Sequence, residues 1–99
     1  MDEVVFEIID KTNRKIRLTK KQWSHITMKH PDLAGKEEEI KQDLENPDLI
    51  AQHKFDENMR NYYKYTKKEK AYLLVAVKYL NGEGFIVTAF YTQQLRKNG

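Results

Sequence analysis

The chain has 99 residues, with 18 Lys and Arg against 15 Asp and Glu, and it contains no cysteine. This length predicts one domain over residues 1–99, and the lack of cysteine excludes a disulfide framework and a thiolate metal site. No apolar run is long enough to span a membrane, and the first residues show no leader pattern. We therefore expect a cytoplasmic protein that does not enter membranes.

Basic and aromatic residues are concentrated in the second half of the chain. Residues 51–99 hold nine Lys and Arg against four Asp and Glu, and nine of the eleven aromatic residues. Cations bind phosphates and flat rings stack on bases, so this composition suits nucleic acid. Surface lysines and strand aromatics explain the same composition without any ligand.

The N-terminal segment predicts a β-hairpin followed by two helices. Residues 3–9 are apolar and β-branched, and residues 15–18 alternate as a strand does. Thr19 fits a helix N-cap in a capping box, and Pro31 predicts that this helix ends near Lys29. A second helix is predicted over residues 35–45, before an Asn-Pro pair.

The remaining segments predict strands. Residues 71–80 are the most apolar run, and an Asn-Gly turn separates them from the predicted strand 85–92. Residues 59–66 are rich in β-formers, and residues 48–55 are short and mixed. We therefore predict an α+β fold, in which an N-terminal hairpin and two helices pack on one face of a four-stranded antiparallel sheet. The hairpin 71–80/85–92 should lie at the sheet centre.

Two histidines on the first predicted helix are candidates for acid–base chemistry, because imidazole titrates near neutral pH. His25 lies opposite the apolar stripe of Trp23 and Ile26, one turn before Lys29, so it should be accessible. His30 borders that stripe. The alternatives are an ordinary surface histidine for His25, and for His30 a side chain that binds the last helix carbonyls.

Two predicted strands carry further candidates. Arg60, Tyr62 and Lys64 alternate onto one face, which suits a phosphate or is an ordinary exposed sheet face. Thr88 lies in a nearly apolar predicted strand and should share the face of Ile86. Its hydroxyl either points into a site or belongs to an ordinary strand residue, since threonine is common in strands.

Signatures of metal and cofactor binding are absent from the sequence. There is no glycine-rich phosphate loop, and His25 and His30 are five residues apart, about 140° around a helix, which suits a shared metal poorly. We expect no metal site and no cofactor.

Several runs together resemble a known family. Residues 23–32, Trp-Ser-His-Ile-Thr-Met-Lys-His-Pro-Asp, are similar to its W-x-H-I-x-x-x-H-P opening, and residues 47–50, 62–64, 72–77 and 84–90 continue the likeness in order. The family is the phage-type branch of the barnase–EndoU–colicin–RelE-like (BECR-fold) nucleases. The resemblance implies an active site on the open face of the sheet. It also implies a metal-independent ribonuclease, often a toxin or effector domain held by an antitoxin or immunity protein.

The resemblance also implies residue roles, and the chain departs from the family pattern at Phe90, where tyrosine is usual, and at Lys29, where arginine is expected. Our leading prediction is a ribonuclease-like domain that cleaves RNA through its 2′-hydroxyl. The alternative is a non-catalytic domain on the same fold that binds RNA or a protein. The predicted catalytic residues are His25, His30 and Thr88, and the predicted substrate-binding residues are Lys29, Arg60, Tyr62 and Lys64.

Overall fold

The computed structural model describes residues 3–95, which form one mixed six-stranded sheet and two α-helices. The strand order across the sheet is β1-β2-β6-β5-β4-β3. Within the described residues, no helix is long and apolar enough to cross a membrane. The elements are β1 (Val4–Ile9), β2 (Lys15–Thr19), α1 (Lys20–Lys29), a 3₁₀ turn (Pro31–Leu33), α2 (Glu37–Glu45), β3 (Leu49–Gln52), β4 (Met59–Thr66), β5 (Ala71–Leu80) and β6 (Glu83–Thr92).

The prediction of a four-stranded antiparallel sheet is wrong. Strands β3 to β6 are antiparallel neighbours, but the β1–β2 hairpin joins the same sheet through a parallel contact between β2 and β6. In that contact Ile16 lies opposite Gly84. A Cβ added to Gly84 would lie 2.5 Å from Ile16 Cδ1, so the missing side chain lets the two strands approach. Ile16 and Leu18 gain complete burial, which favours docking of the hairpin.

The main core lies between the sheet and the helices. Ile26 of α1 and Ile40 and Leu44 of α2 pack with the inward side chains of β5, which include Val75 and Val77. Strands β5 and β6 occupy the two central positions of the sheet, which confirms the predicted central hairpin. The opposite face of the sheet carries a second, smaller apolar cluster, and none of its members within residues 3–95 comes from a helix.

A β-bulge in β6 changes which side chains face the helices. The pairing of β6 with β5 passes from Thr88 directly to Ile86, so Val87 is an extra residue. As a result Ile86 packs in the helix-side core, whereas Thr88 and Phe90 lie on the open side. The prediction that Thr88 shares a face with Ile86 is therefore wrong, because simple alternation fails at a bulge.

A buried carboxylate holds the β1–β2 turn against the sheet. Asp10 is 5% exposed. It accepts hydrogen bonds from the backbone N–H groups of Thr12 and Arg14 and from the hydroxyls of Thr12, Tyr62 and Tyr79. The Arg14 guanidinium lies over the Tyr79 ring, 4.6 Å from its centre. The network ties the hairpin to β4 and β5, and it uses the Tyr62 hydroxyl inside the core.

Candidate functional site

Helix α1 lies beside β6 because the chain leaves the sheet at the end of β2. The last parallel pair is Arg17 with Phe85. Thr19 then caps α1, and its Oγ1 accepts a hydrogen bond from the backbone N–H of Gln22 at 3.1 Å. The Gln22 side-chain amide donates to the carbonyl of Val87, the bulge residue. This contact holds α1 next to the C-terminal half of β6.

An open cavity of about 530 Å³ lies between α1 and β6. It brings together four of the predicted site residues, His25, Lys29 and His30 from the helix and Thr88 from the strand. Two nitrogen heterocycles, an ammonium and a hydroxyl thus face the same space. The complete lining is Gln22, His25, Ile26, Lys29, His30, Val87, Thr88 and Phe90.

The outer wall of the cavity is formed by His25 and Lys29. Both side chains are exposed, and they lie one helical turn apart on α1. Ile26, the next residue after His25, is 2% exposed and packs in the core. The predicted accessibility of His25 is therefore confirmed.

His30 forms the inner wall at the C-terminal end of α1. Its backbone N–H donates to the carbonyl of Ile26, while its imidazole stacks on Phe90 with 5.5 Å between ring centres and 30° between planes. Within residues 3–95 neither His30 nor His25 makes a side-chain hydrogen bond. The alternative in which the His30 side chain binds the last helix carbonyls is therefore wrong.

Thr88 completes the site from the floor of the open sheet face. It is half-buried, and its hydroxyl makes no hydrogen bond to any residue that the structure describes. The bulge at Val87 puts Thr88 and Phe90 together on the open side of the sheet, where both line the cavity beside α1. Thr88 is thus available to donate to a ligand oxygen.

The other three predicted substrate-binding residues do not reach this cavity. Tyr62 is completely buried in the helix-side core, and burial raises the pKa of its hydroxyl far above the usual range. Lys64 Nζ donates to the Asn46 carbonyl at 2.8 Å. The Arg60 guanidinium donates to the Met59 carbonyl at 3.0 Å. The alternation of side chains along β4 correctly predicted that these three residues share one face of the sheet. In the structure, the helices cover that face.

One unusual polar residue was missed by the sequence reasoning. Asp43 of α2 is 0% exposed, and neither carboxyl oxygen has a hydrogen-bond partner in the described part of the chain. Burial raises the pKa of this carboxyl to about 9, against the opposing charge of Lys64. The sequence did contain a signal for this burial. Asp43 comes three residues after Ile40 and directly before Leu44, so it lies on the apolar stripe of α2. Asp43 does not line the cavity.

Two cavity residues, Gln22 and Phe90, were also missed as site residues. Gln22 had no predicted role in a site, and Phe90 was interpreted only as a departure from a family pattern. Their role depends on the α1–β6 contact, which no local pattern predicts. Among residues 3–95, no group of three or more His, Asp and Glu side chains is placed to hold a metal ion.

Comparison of the chain with protein-family models, with curated proteins and with solved structures found no match. The ammonium and the hydroxyl of the cavity can stabilise an anionic group.

Proposed function

We propose that this protein is a metal-independent ribonuclease-like domain, of the toxin or effector type, that cleaves RNA through the 2′-hydroxyl. The observation that carries the proposal is the convergence of His25, Lys29, His30 and Thr88 on one open cavity of about 530 Å³. These are the groups that such a reaction needs, namely a base, an acid and donors for the phosphate.

The reaction follows from the chemistry of the four groups. A neutral imidazole takes the proton of the 2′-hydroxyl, and the 2′-oxygen attacks the phosphorus. The bond from phosphorus to the 5′-oxygen breaks, and the second imidazole, protonated, gives its proton to that oxygen. The products are a 2′,3′-cyclic phosphate and a free 5′-hydroxyl. Lys29 and Thr88 stabilise the negative phosphoryl oxygens, so the cavity supplies each role itself.

The biological setting belongs to the same proposal. RNA is the substrate, the cytoplasm is the compartment, and an antitoxin or immunity protein is the partner that silences the activity. An inhibitor of this kind has an accessible target, because His25 and Lys29 are exposed at the cavity mouth.

The test is cleavage of end-labelled RNA in excess EDTA, with identification of a cyclic phosphate product. We expect His25→Ala to lower the rate about 10²–10⁴-fold without changing the melting temperature, because this side chain is exposed. Met28→Ala is the matched control, since Met28 is 76% exposed on the same helix and lies outside the cavity. We expect His30→Ala to lower both the rate and the stability, because it removes the stack on Phe90.

Two outcomes would contradict the proposal. The first is cleavage that disappears with EDTA and returns with a divalent cation. The second is a His25→Ala variant that cleaves RNA as fast as Met28→Ala and the wild type.

A second candidate function is a non-catalytic domain that binds RNA or a protein through the same surface. One observation favours it. No carboxylate or carbonyl in the described residues orients either imidazole, whereas catalytic histidines are commonly held by such a partner. Salt-dependent RNA binding, without cleavage and without an effect of His25→Ala, would establish this alternative.

A further inference from the structure

The open face of the sheet continues from the cavity as a row of aromatic side chains. Phe90, which stacks on His30, lies opposite Leu74 of β5. Two residues earlier on β5, Tyr72 lies opposite Tyr65 of β4 on the same face. The row therefore extends from the cavity toward the turn between β4 and β5.

The tyrosines in this row are packed against one another. The Tyr72 ring lies edge-on to Tyr65, with 5.3 Å between ring centres, and edge-on to Tyr63, with 6.3 Å. Tyr63 is 1% exposed and supports the other two, whereas Tyr65 is 47% exposed. The exposed Tyr65 ring and the half-buried Tyr72 ring are thus held in place before any ligand arrives, which lowers the entropy cost of stacking on them.

A cluster of positive charge lies at the end of the row. Lys67, Lys68 and Lys70 form the β4–β5 turn, and Lys67 and Lys68 are exposed. Within residues 3–95 no ion pair includes any of the three. The one carboxylate of that turn, Glu69, faces another lysine instead, with 3.9 Å between its Oε2 and Lys36 Nζ. The charge of this lysine turn is therefore available to an anionic ligand.

We propose that this tyrosine–lysine path binds single-stranded RNA, with bases stacked on Tyr65 and Tyr72 and phosphates near the lysine turn. The inference rests on the proposed function, because the cavity forms the other end of the path. From β6 to β4 the path crosses two strand intervals, about 10 Å, and it then continues along β4 to the lysine turn. A duplex does not fit this mode, since its base faces are already stacked.

The experiment measures the affinity of 2′-O-methyl RNA, which binds without being cleaved, by fluorescence anisotropy. A dinucleotide reaches only the cavity, and a single strand of about eight nucleotides reaches the whole path. We expect Tyr65→Leu to weaken binding of the longer strand about 5- to 100-fold and to leave the dinucleotide unaffected. Tyr65→Phe should bind as the wild type does, because it keeps the ring.

The lysine turn is tested against a variant of equal net charge. Lys67→Gln with Lys68→Gln should lower the slope of log affinity against log salt by about 0.7 for each phosphate that a lysine no longer neutralises. Lys11→Gln with Lys54→Gln removes two exposed lysines from loops away from the path and should leave the slope unchanged. Melting temperatures of all variants confirm folding.

The outcomes separate this inference from the proposed function. One outcome is a protein that binds the longer strand more tightly than the dinucleotide, loses that advantage in Tyr65→Leu, and cleaves no RNA. That result supports the path and contradicts the ribonuclease proposal. Cleavage that depends on His25, with equal affinity of Tyr65→Leu and Tyr65→Phe for the long strand, overturns the path alone. Tighter binding of duplex than of single strand, or no binding of RNA at all, also overturns the path.

Discussion

Asp43 occupies a core position of α2 in place of an apolar residue. Its carboxyl is fully buried without a hydrogen-bond partner in the described residues, so the charged form is strongly disfavoured in the folded state. Burial therefore raises its pKa from 3.8 to about 9, and the carboxyl is protonated at neutral pH. The unfolded chain exposes the same group to water, where it ionises near its ordinary pKa.

This difference makes stability depend on pH. Between about pH 4 and about pH 9 the unfolded state binds fewer protons than the folded state, so the free energy of unfolding falls as pH rises and then levels off. We expect Asp43→Asn to lose this slope and to be more stable than the wild type near pH 9, because the amide does not ionise in the unfolded chain. Urea unfolding at several pH values measures both effects.

The control for this prediction is Glu45→Gln, which neutralises an exposed carboxylate on the same helix. It should retain the pH dependence of the wild type. An Asp43→Asn variant with an unchanged slope would show that the carboxyl is ionised in the fold.

At the scale of elements, the joint between β2 and β6 depends on Gly84. An added Cβ would lie 2.5 Å from Ile16 Cδ1 and 2.9 Å from Val77 Cγ1, both on fully buried side chains. We expect Gly84→Ala to lower the free energy of unfolding by about 1–3 kcal/mol through overpacking. Denaturant unfolding measures this cost.

A second variant identifies the cause of that cost. Ile16→Val removes Cδ1, the atom nearest to the added methyl group. Gly84→Ala should therefore cost less in the Ile16→Val background than in the wild type, which is a non-additive result. If the two substitutions lower the free energy of unfolding additively, the cost of Gly84→Ala does not come from the contact with Ile16 Cδ1.

The ends of helix α1 were predictable because they depend on residues that are close in the sequence. Thr19 was predicted as an N-cap, and the structure confirms it through the bond from the Gln22 N–H. Pro31 was predicted to end the first helix near Lys29, and α1 ends there. These features depend on neighbouring residues only. The bulge at Val87 and the docking of β2 depend on distant segments, and both were missed.

At the scale of the whole molecule, the N-terminal hairpin shares one core with the rest of the fold. Phe6, Ile16 and Leu18 pack in the same cluster as Val75 and the helix residues. Hydrogen bonds from Tyr62 and Tyr79 to Asp10 connect the hairpin turn to β4 and β5. A hairpin merely attached beside a four-stranded sheet would have no such connection.

We therefore expect one cooperative unfolding transition. The fluorescence of Trp23, the single tryptophan, reports the α1 region, and far-UV circular dichroism reports the whole sheet. The two denaturation curves should coincide. A fluorescence transition at lower denaturant concentration would show that the hairpin and α1 separate from the central strands first.

The amino-acid sequence by itself determined the approximate positions of the strands and helices, the Thr19 cap of α1, the central β5–β6 hairpin, and the accessibility of His25, because each follows from local pattern. Only the tertiary structure decided that six strands form one mixed sheet and that Arg60, Tyr62 and Lys64 lie on the helix-covered face. It also decided that Thr88 lines the same cavity as the two histidines. The physical reason is that strand pairing and the choice of sheet face are set by burial among distant residues, as when Gly84 admits Ile16 and one extra residue at Val87 puts Thr88 on the open side.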